Sequence, residues 1–153
     1  MGTGRAIMIP VLGMLCSAMP ACSDRGGTAG LAVERAWVRA VTVGEAGGVT
    51  TAAYMKILNR GPADRLVGAS SPSVGRAEVH RTVIDDSGLA TMGPAGPLDL
   101  PPGSATELEP GGVHLMLMDV RDTLAPGDTV RIVLQFESGA EVGVRAEVLV
   151  AGP

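Results

Sequence analysis

From Leu31 onward the chain never sustains a helical period over ten residues, and turn residues return every few positions. A chain punctuated in this way cannot build its core from helices. The intervening segments are short and rich in Val, Ile, Leu and Thr, the composition of β-strands. The best of them are Ala36–Val43, Thr51–Asn59, Arg65–Ser70, Ala77–Ile84, Leu89–Met92, Val113–Val120, Thr129–Phe136 and Glu141–Val150. Asn59-Arg60-Gly61-Pro62, Asp85-Asp86-Ser87-Gly88, Pro110-Gly111-Gly112 and Ala125-Pro126-Gly127-Asp128 are the clearest turns between them. Seven or eight short strands at this spacing predict an all-β, two-sheet sandwich.

One hairpin can be read residue by residue. Asp86-Ser87-Gly88 suits a three-residue loop with Gly88 in the left-handed conformation. That loop pairs Asp85 with Leu89 and Thr82 with Met92. His80 then lies diagonal to Met92 on the same face, about 7 Å away. A two-residue loop would shift the register by one and send the two side chains to opposite faces.

Residues 1–22 read as an export signal. Arg5 gives the positive start, Ala6 to Met19 is mostly apolar, and small residues gather around Ala18 and Ala21. The apolar run is interrupted by Pro10 and falls short of the roughly 20 residues of a spanning helix. A buried core helix is the competing reading, but Cys22-Ser23-Asp24-Arg25-Gly26-Gly27 after it has the composition of a linker. The expected organisation is an export signal over 1–22, a linker over 23–35 and one domain over 36–150. Cys22 follows Ala21 and is a candidate for lipid attachment, although Met19 and Pro20 match the usual leucine-containing lipoprotein box poorly.

The cysteines are Cys16 and Cys22, so the expected domain has neither disulfide nor thiolate. Its histidines are His80 and His114, each near a methionine in a strand. In Val113-His114-Leu115-Met116-Leu117-Met118, period-2 alternation puts His114, Met116 and Met118 on one face and the aliphatic residues on the other. The aliphatic face is the natural core face. Imidazole nitrogen with thioether sulfur is a donor set for soft, monovalent copper; Mg²⁺ and Ca²⁺ prefer oxygen, and structural zinc prefers thiolate or imidazole. Taken singly, a strand Met is usually core packing and a strand His usually a hydrogen-bonded structural or surface residue. Their joint arrangement weakens those readings. Met55, in Tyr54-Met55-Lys56-Ile57, keeps the core reading.

The spacing His80, eleven residues, Met92, twenty-one residues, His114, one residue, Met116 resembles the copper motif of the periplasmic copper chaperones called PCu(A)C. The segments AWVRA, AAYMKILN, DRLVGASSPS, AEVH and PGGVHLMLMD are also similar to that family, over about Ala36 to Val150. Arg81 stands where the family often has Met, and the chain's last residues, Val148 to Pro153, carry none of the His and Met of some members' C-terminal tails. The resemblance implies a cupredoxin-like Greek-key β-sandwich. It also implies a monomer that holds Cu(I) through His80, Met92, His114 and Met116. Delivery would be toward the binuclear copper centre of cytochrome c oxidase, to its subunit II or to another assembly chaperone.

Other functions are weighed against this one. The formal net charge of −4, three aromatic residues and the absence of a Lys/Arg run leave no nucleic-acid surface. No Gly-x-Ser-x-Gly, HExxH or Cys-x-x-Cys motif suggests an enzyme. Copper buffering without a dedicated recipient and a metal-free interaction module remain as alternatives. Residues alone, without the resemblance, reach only an exported binder of soft metal.

Overall fold

Ten strands make up the regular structure of the residues described by the computed structural model, which are Met1, 30–45 and 47–152. They are β1 Leu31–Arg39, β2 Val49–Asn59, β3 Asp64–Ser70, β4 Arg76–Ile84, β5 Ala90–Pro94, β6 Leu98–Leu100, β7 Ala105–Leu108, β8 Val113–Val120, β9 Thr129–Phe136 and β10 Glu141–Leu149. Residues 2–22 of the expected export signal, Cys22 included, lie outside the described residues, as do residues 23–29 of the expected linker.

The strands follow the order β5-β4-β8-β2-β1-β10-β9-β3-β6, with β7 paired to β2. A further pairing of Ala69 in β3 with Ala77 in β4 joins the path back on itself. The result is a barrel-like all-β sandwich whose spatial neighbours are often distant in sequence, as in a Greek key. β1 and β10 pair in parallel, and the other strand pairs are antiparallel.

The aliphatic positions of alternating strands meet inside. Val38, Ala53, Met55, Ile57, Leu115, Leu117, Ile132, Leu134 and Val148 all belong to one buried cluster. Met55 is therefore core, as its strand pattern indicates. β10 shows the alternation most cleanly, with Val142, Val144, Ala146 and Val148 buried between exposed neighbours.

The first strand departs from expectation. It begins at Leu31, so residues 31–35, assigned to the linker from sequence, form the first half of β1. The physical reason is a bulge: its register with β2 shifts between Glu34 and Trp37, and Arg35 takes φ 52°. A bulge resets the two-residue period, which hides the earlier half of the strand from a pattern search. At its other end β1 stops at Arg39 rather than at the expected Val43, and Val41 makes only an isolated bridge to Leu124. β6 and β7, three and four residues long, were not expected at all. They flank Pro101-Pro102-Gly103, whose composition reads as loop.

Candidate metal centre

β4 and β8 set His80 opposite His114, Glu78 opposite Met116 and Arg76 opposite Met118. Opposed residues project to one face of a sheet, so both histidines and both methionines share the face turned away from the aliphatic core. Leu115 and Leu117, between them, are fully buried on the other side. β5 extends the same face, pairing Thr82 with Met92 and His80 with Pro94. Met92 is thus diagonal to His80. The loop between β4 and β5 is the three-residue form: Asp85 N donates to Leu89 O at 3.0 Å, and Gly88 has φ 82°.

Asp85 holds that loop. Its Oδ1 accepts from the Ser87 hydroxyl at 2.6 Å, from Ser87 N at 2.9 Å and from Leu89 N at 3.0 Å. The Ser87 hydroxyl bond above all, with the backbone donors behind it, keeps the Asp85 carboxyl below its ordinary value.

His114 lies on the non-core face but is not a surface residue. It is 3% exposed, and the Tyr54 ring, 6.4 Å away between centroids, packs beside it. Tyr54 in turn lies 4.4 Å from Trp37. His114 Nδ1 is 3.1 Å from Gly112 O, a carbonyl that also accepts from Thr82 N at 3.1 Å. A carbonyl can only accept, so Nδ1 carries the proton and Nε2 keeps a free lone pair.

The His80 ring is 6.3 Å from that of His114 between centroids. Its Nε2 lies 3.3 Å from Glu78 Oε2, while Arg76 Nε holds Glu78 Oε1 at 3.3 Å. Met116 is half-buried, two residues along β8 from His114. Met118 is half-buried too, but its sulfur accepts from Arg76 Nη2 at 3.3 Å. Met92 stays 64% exposed on the edge strand. The fold thus brings His80, His114 and Met116 together and leaves Met92 at the rim.

Chemistry narrows what could bind here. Among the described residues no group of three His, Cys, Asp or Glu stands ready for a metal ion. A hard ion, or zinc seeking imidazole and carboxylate, has no prepared set. The face offers two imidazoles and thioethers instead, which suits soft copper.

Sequence reasoning missed Glu78, Tyr54 and Gly112 as parts of this site. A signal existed for two of them. Glu78 is two residues before His80 in a strand, hence on its face, and Tyr54 alternates with the core residue Met55. The Gly112 carbonyl sits in a turn, where side-chain periodicity carries no information.

Solved structures share this fold. The apo PCuAC domain from PmoF1 is 30% identical with a TM-score of 0.64, covering 80% of this chain and 95% of that one. The copper-bound PCuAC domain from PmoF2 is 27% identical with a TM-score of 0.63, covering 80% and 94%. The solution structure of CuI-DR1885 from Deinococcus radiodurans is 29% identical with a TM-score of 0.57, covering 87% and 80%. The fold is thus the cupredoxin-like one that the sequence resemblance implies.

A curated relative, "Putative lipoprotein Lxx21020" of Leifsonia xyli subsp. xyli (strain CTCB07), is 32% identical over 112 residues. The match covers 72% of this chain and 64% of that protein's length. The family model described as "Putative lipoprotein LpqE-like" matches residues 31–148, from the first residue of β1 almost to the end of β10, and the chain belongs to that LpqE-like family.

Proposed function

We propose that this protein is an extracytoplasmic Cu(I) chaperone, with His80, Met92, His114 and Met116 as ligands and no chemistry performed on the cargo. The observation that carries this reading is the cross-strand pair His80–His114, with Met116 beside it on β8 and Met92 diagonal on β5. The donor set matches the soft ion, and similar solved domains include copper-bound and Cu(I)-bound forms.

The exposure of Met92 favours transfer over storage. A buried four-ligand cage holds its ion, whereas a rim thioether can leave first and admit an incoming ligand from another protein. We propose the binuclear copper centre of cytochrome c oxidase as the destination, reached through subunit II or another assembly chaperone. A lipid anchor at Cys22 after export would keep a monomer at the membrane surface beside that acceptor.

The test is an anaerobic Cu(I) titration of the full chain carrying Cys16→Ser and Cys22→Ser, so that no thiolate competes. One Cu(I) per chain, with nitrogen and sulfur neighbours in X-ray absorption and weak Zn²⁺ binding, is the expected result. Loaded protein should then pass copper to an isolated binuclear-copper domain. Retention of copper in the presence of that acceptor would favour buffering, and no Cu(I) retention at all would favour a metal-free interaction module.

A further inference from the structure

Beyond the four candidate ligands, a charged side chain among the described residues faces the site and contacts one of them. Glu78 is opposite Met116 and two residues before His80, on the same face of β4. Its carboxylate is engaged on both sides, with Oε1 3.3 Å from Arg76 Nε and Oε2 3.3 Å from His80 Nε2. The guanidinium that anchors it also donates to the Met118 sulfur at 3.3 Å, which ties the carboxylate to β8. The His80 side chain is 13% exposed, so little water competes for its ring nitrogens.

From this we infer that Glu78 is the positioning residue of the copper site: it accepts the His80 Nε2–H and so presents Nδ1 of His80 to the metal. The inference rests on the ligand set proposed above. A carboxylate, like a carbonyl, accepts, so the nitrogen facing it is the protonated one and the other ring nitrogen holds the lone pair. Metal-bound histidines commonly give their remaining N–H to a carboxylate or carbonyl, which fixes ring orientation and raises ligand basicity. His114 has the carbonyl version, with its Nδ1–H on Gly112 O. The two histidines therefore bind through opposite nitrogens, His80 by Nδ1 and His114 by Nε2.

Glu78 itself stays out of the coordination sphere. With His80 and His114 it forms no three-residue group that could hold an ion, and Arg76 already occupies its second oxygen. The Met118 sulfur is likewise engaged by Arg76.

The test uses the full chain with Cys16→Ser and Cys22→Ser, labelled with ¹⁵N-histidine and loaded anaerobically with Cu(I), which is diamagnetic. Long-range ¹H–¹⁵N correlation should show His80 protonated at Nε2 and metal-shifted at Nδ1, with the reverse at His114. Glu78→Val should weaken Cu(I) binding about 10- to 100-fold and mix the His80 tautomers in the apo protein. Glu78→Gln keeps an acceptor oxygen and should restore most of the affinity. His80→Ala, measured in parallel, separates the two ideas: unchanged Cu(I) affinity there removes the ligand set itself. If His80→Ala does weaken binding, coordination of His80 through Nε2 would overturn the role of Glu78. So would a Glu78→Val affinity within threefold of the parent. Apo melting temperatures of all variants show whether a loss of binding reflects loss of fold.

Discussion

At the scale of single residues, burial separates ligands from packing. His114 is 3% exposed and its Nδ1–H satisfies Gly112 O, so its removal acts twice. His114→Ala should weaken Cu(I) binding strongly and also lower apo stability, because a buried ring is lost from beside Tyr54 and Gly112 O keeps only its bond from Thr82 N. Alternation alone places this residue on the non-core face and predicts an intact fold; packing by Tyr54 changes that expectation. Met116→Ala, at a half-buried position, should weaken copper binding with a smaller effect on stability. Met55→Ala should do the reverse, costing about 2–5 kcal/mol while copper affinity is kept. Urea melts of the apo variants beside competitive Cu(I) titrations check all three. Retained copper affinity in Met116→Ala would remove it from the ligand set. What was legible at this scale was the face of each side chain, since a strand's period is fixed by its pleat. What was not legible was cover on that face, because Tyr54 and Trp37 arrive from strands distant in sequence.

At the scale of elements, the β4–β5 hairpin decides whether Met92 can join His80. Its register was readable because loop chemistry is local: Gly88 takes the left-handed conformation and Asp85 gathers the loop donors. The bulged β1 was not readable, since a reset of period leaves no mark on composition. Asp85→Ala should loosen the hairpin and reduce Cu(I) affinity by mobilising Met92, with little change in global melting because the carboxylate is exposed. The pH dependence has a definite sign. The folded-state value of Asp85 lies below its unfolded one, so its contribution is present above about pH 3.9 and is lost as pH falls through the lower, folded value. Amide chemical shifts of Ser87 and Leu89 should therefore hold constant from pH 7 to about pH 5 and move only in stronger acid. Movement of those shifts between pH 5 and 7 would show that Asp85 does not hold the loop.

At the scale of the whole molecule, the barrel is unevenly tied, and the proposed site lies near its weakest seam. β9 and β10 share a register of seven paired positions, whereas β3 meets β4 at Ala69 and Ala77 alone. β4 is held on its other side by β8, and β5 hangs on β4 at the edge. An ion shared by His80 of β4, Met92 of β5 and His114 and Met116 of β8 would cross-link three strands at that end. A ligand that binds only the folded state adds RT ln(1 + [L]/Kd), about 4 kcal/mol at free metal a thousandfold above Kd. For a domain of this size that corresponds to a rise in melting temperature of about 8 °C or more. The rise should vanish in Met116→Ala. It should also be local in origin: amide exchange ought to slow in β4 and β5 at sub-stoichiometric unfolding, while β9 and β10, already tied along their length, change only with global stability. Hydrogen exchange of apo and Cu(I)-loaded protein, read strand by strand, tests this. Equal protection across all strands would mean that copper stabilises without bridging β4, β5 and β8. Protection confined to β8 would leave Met92 and His80 outside the site.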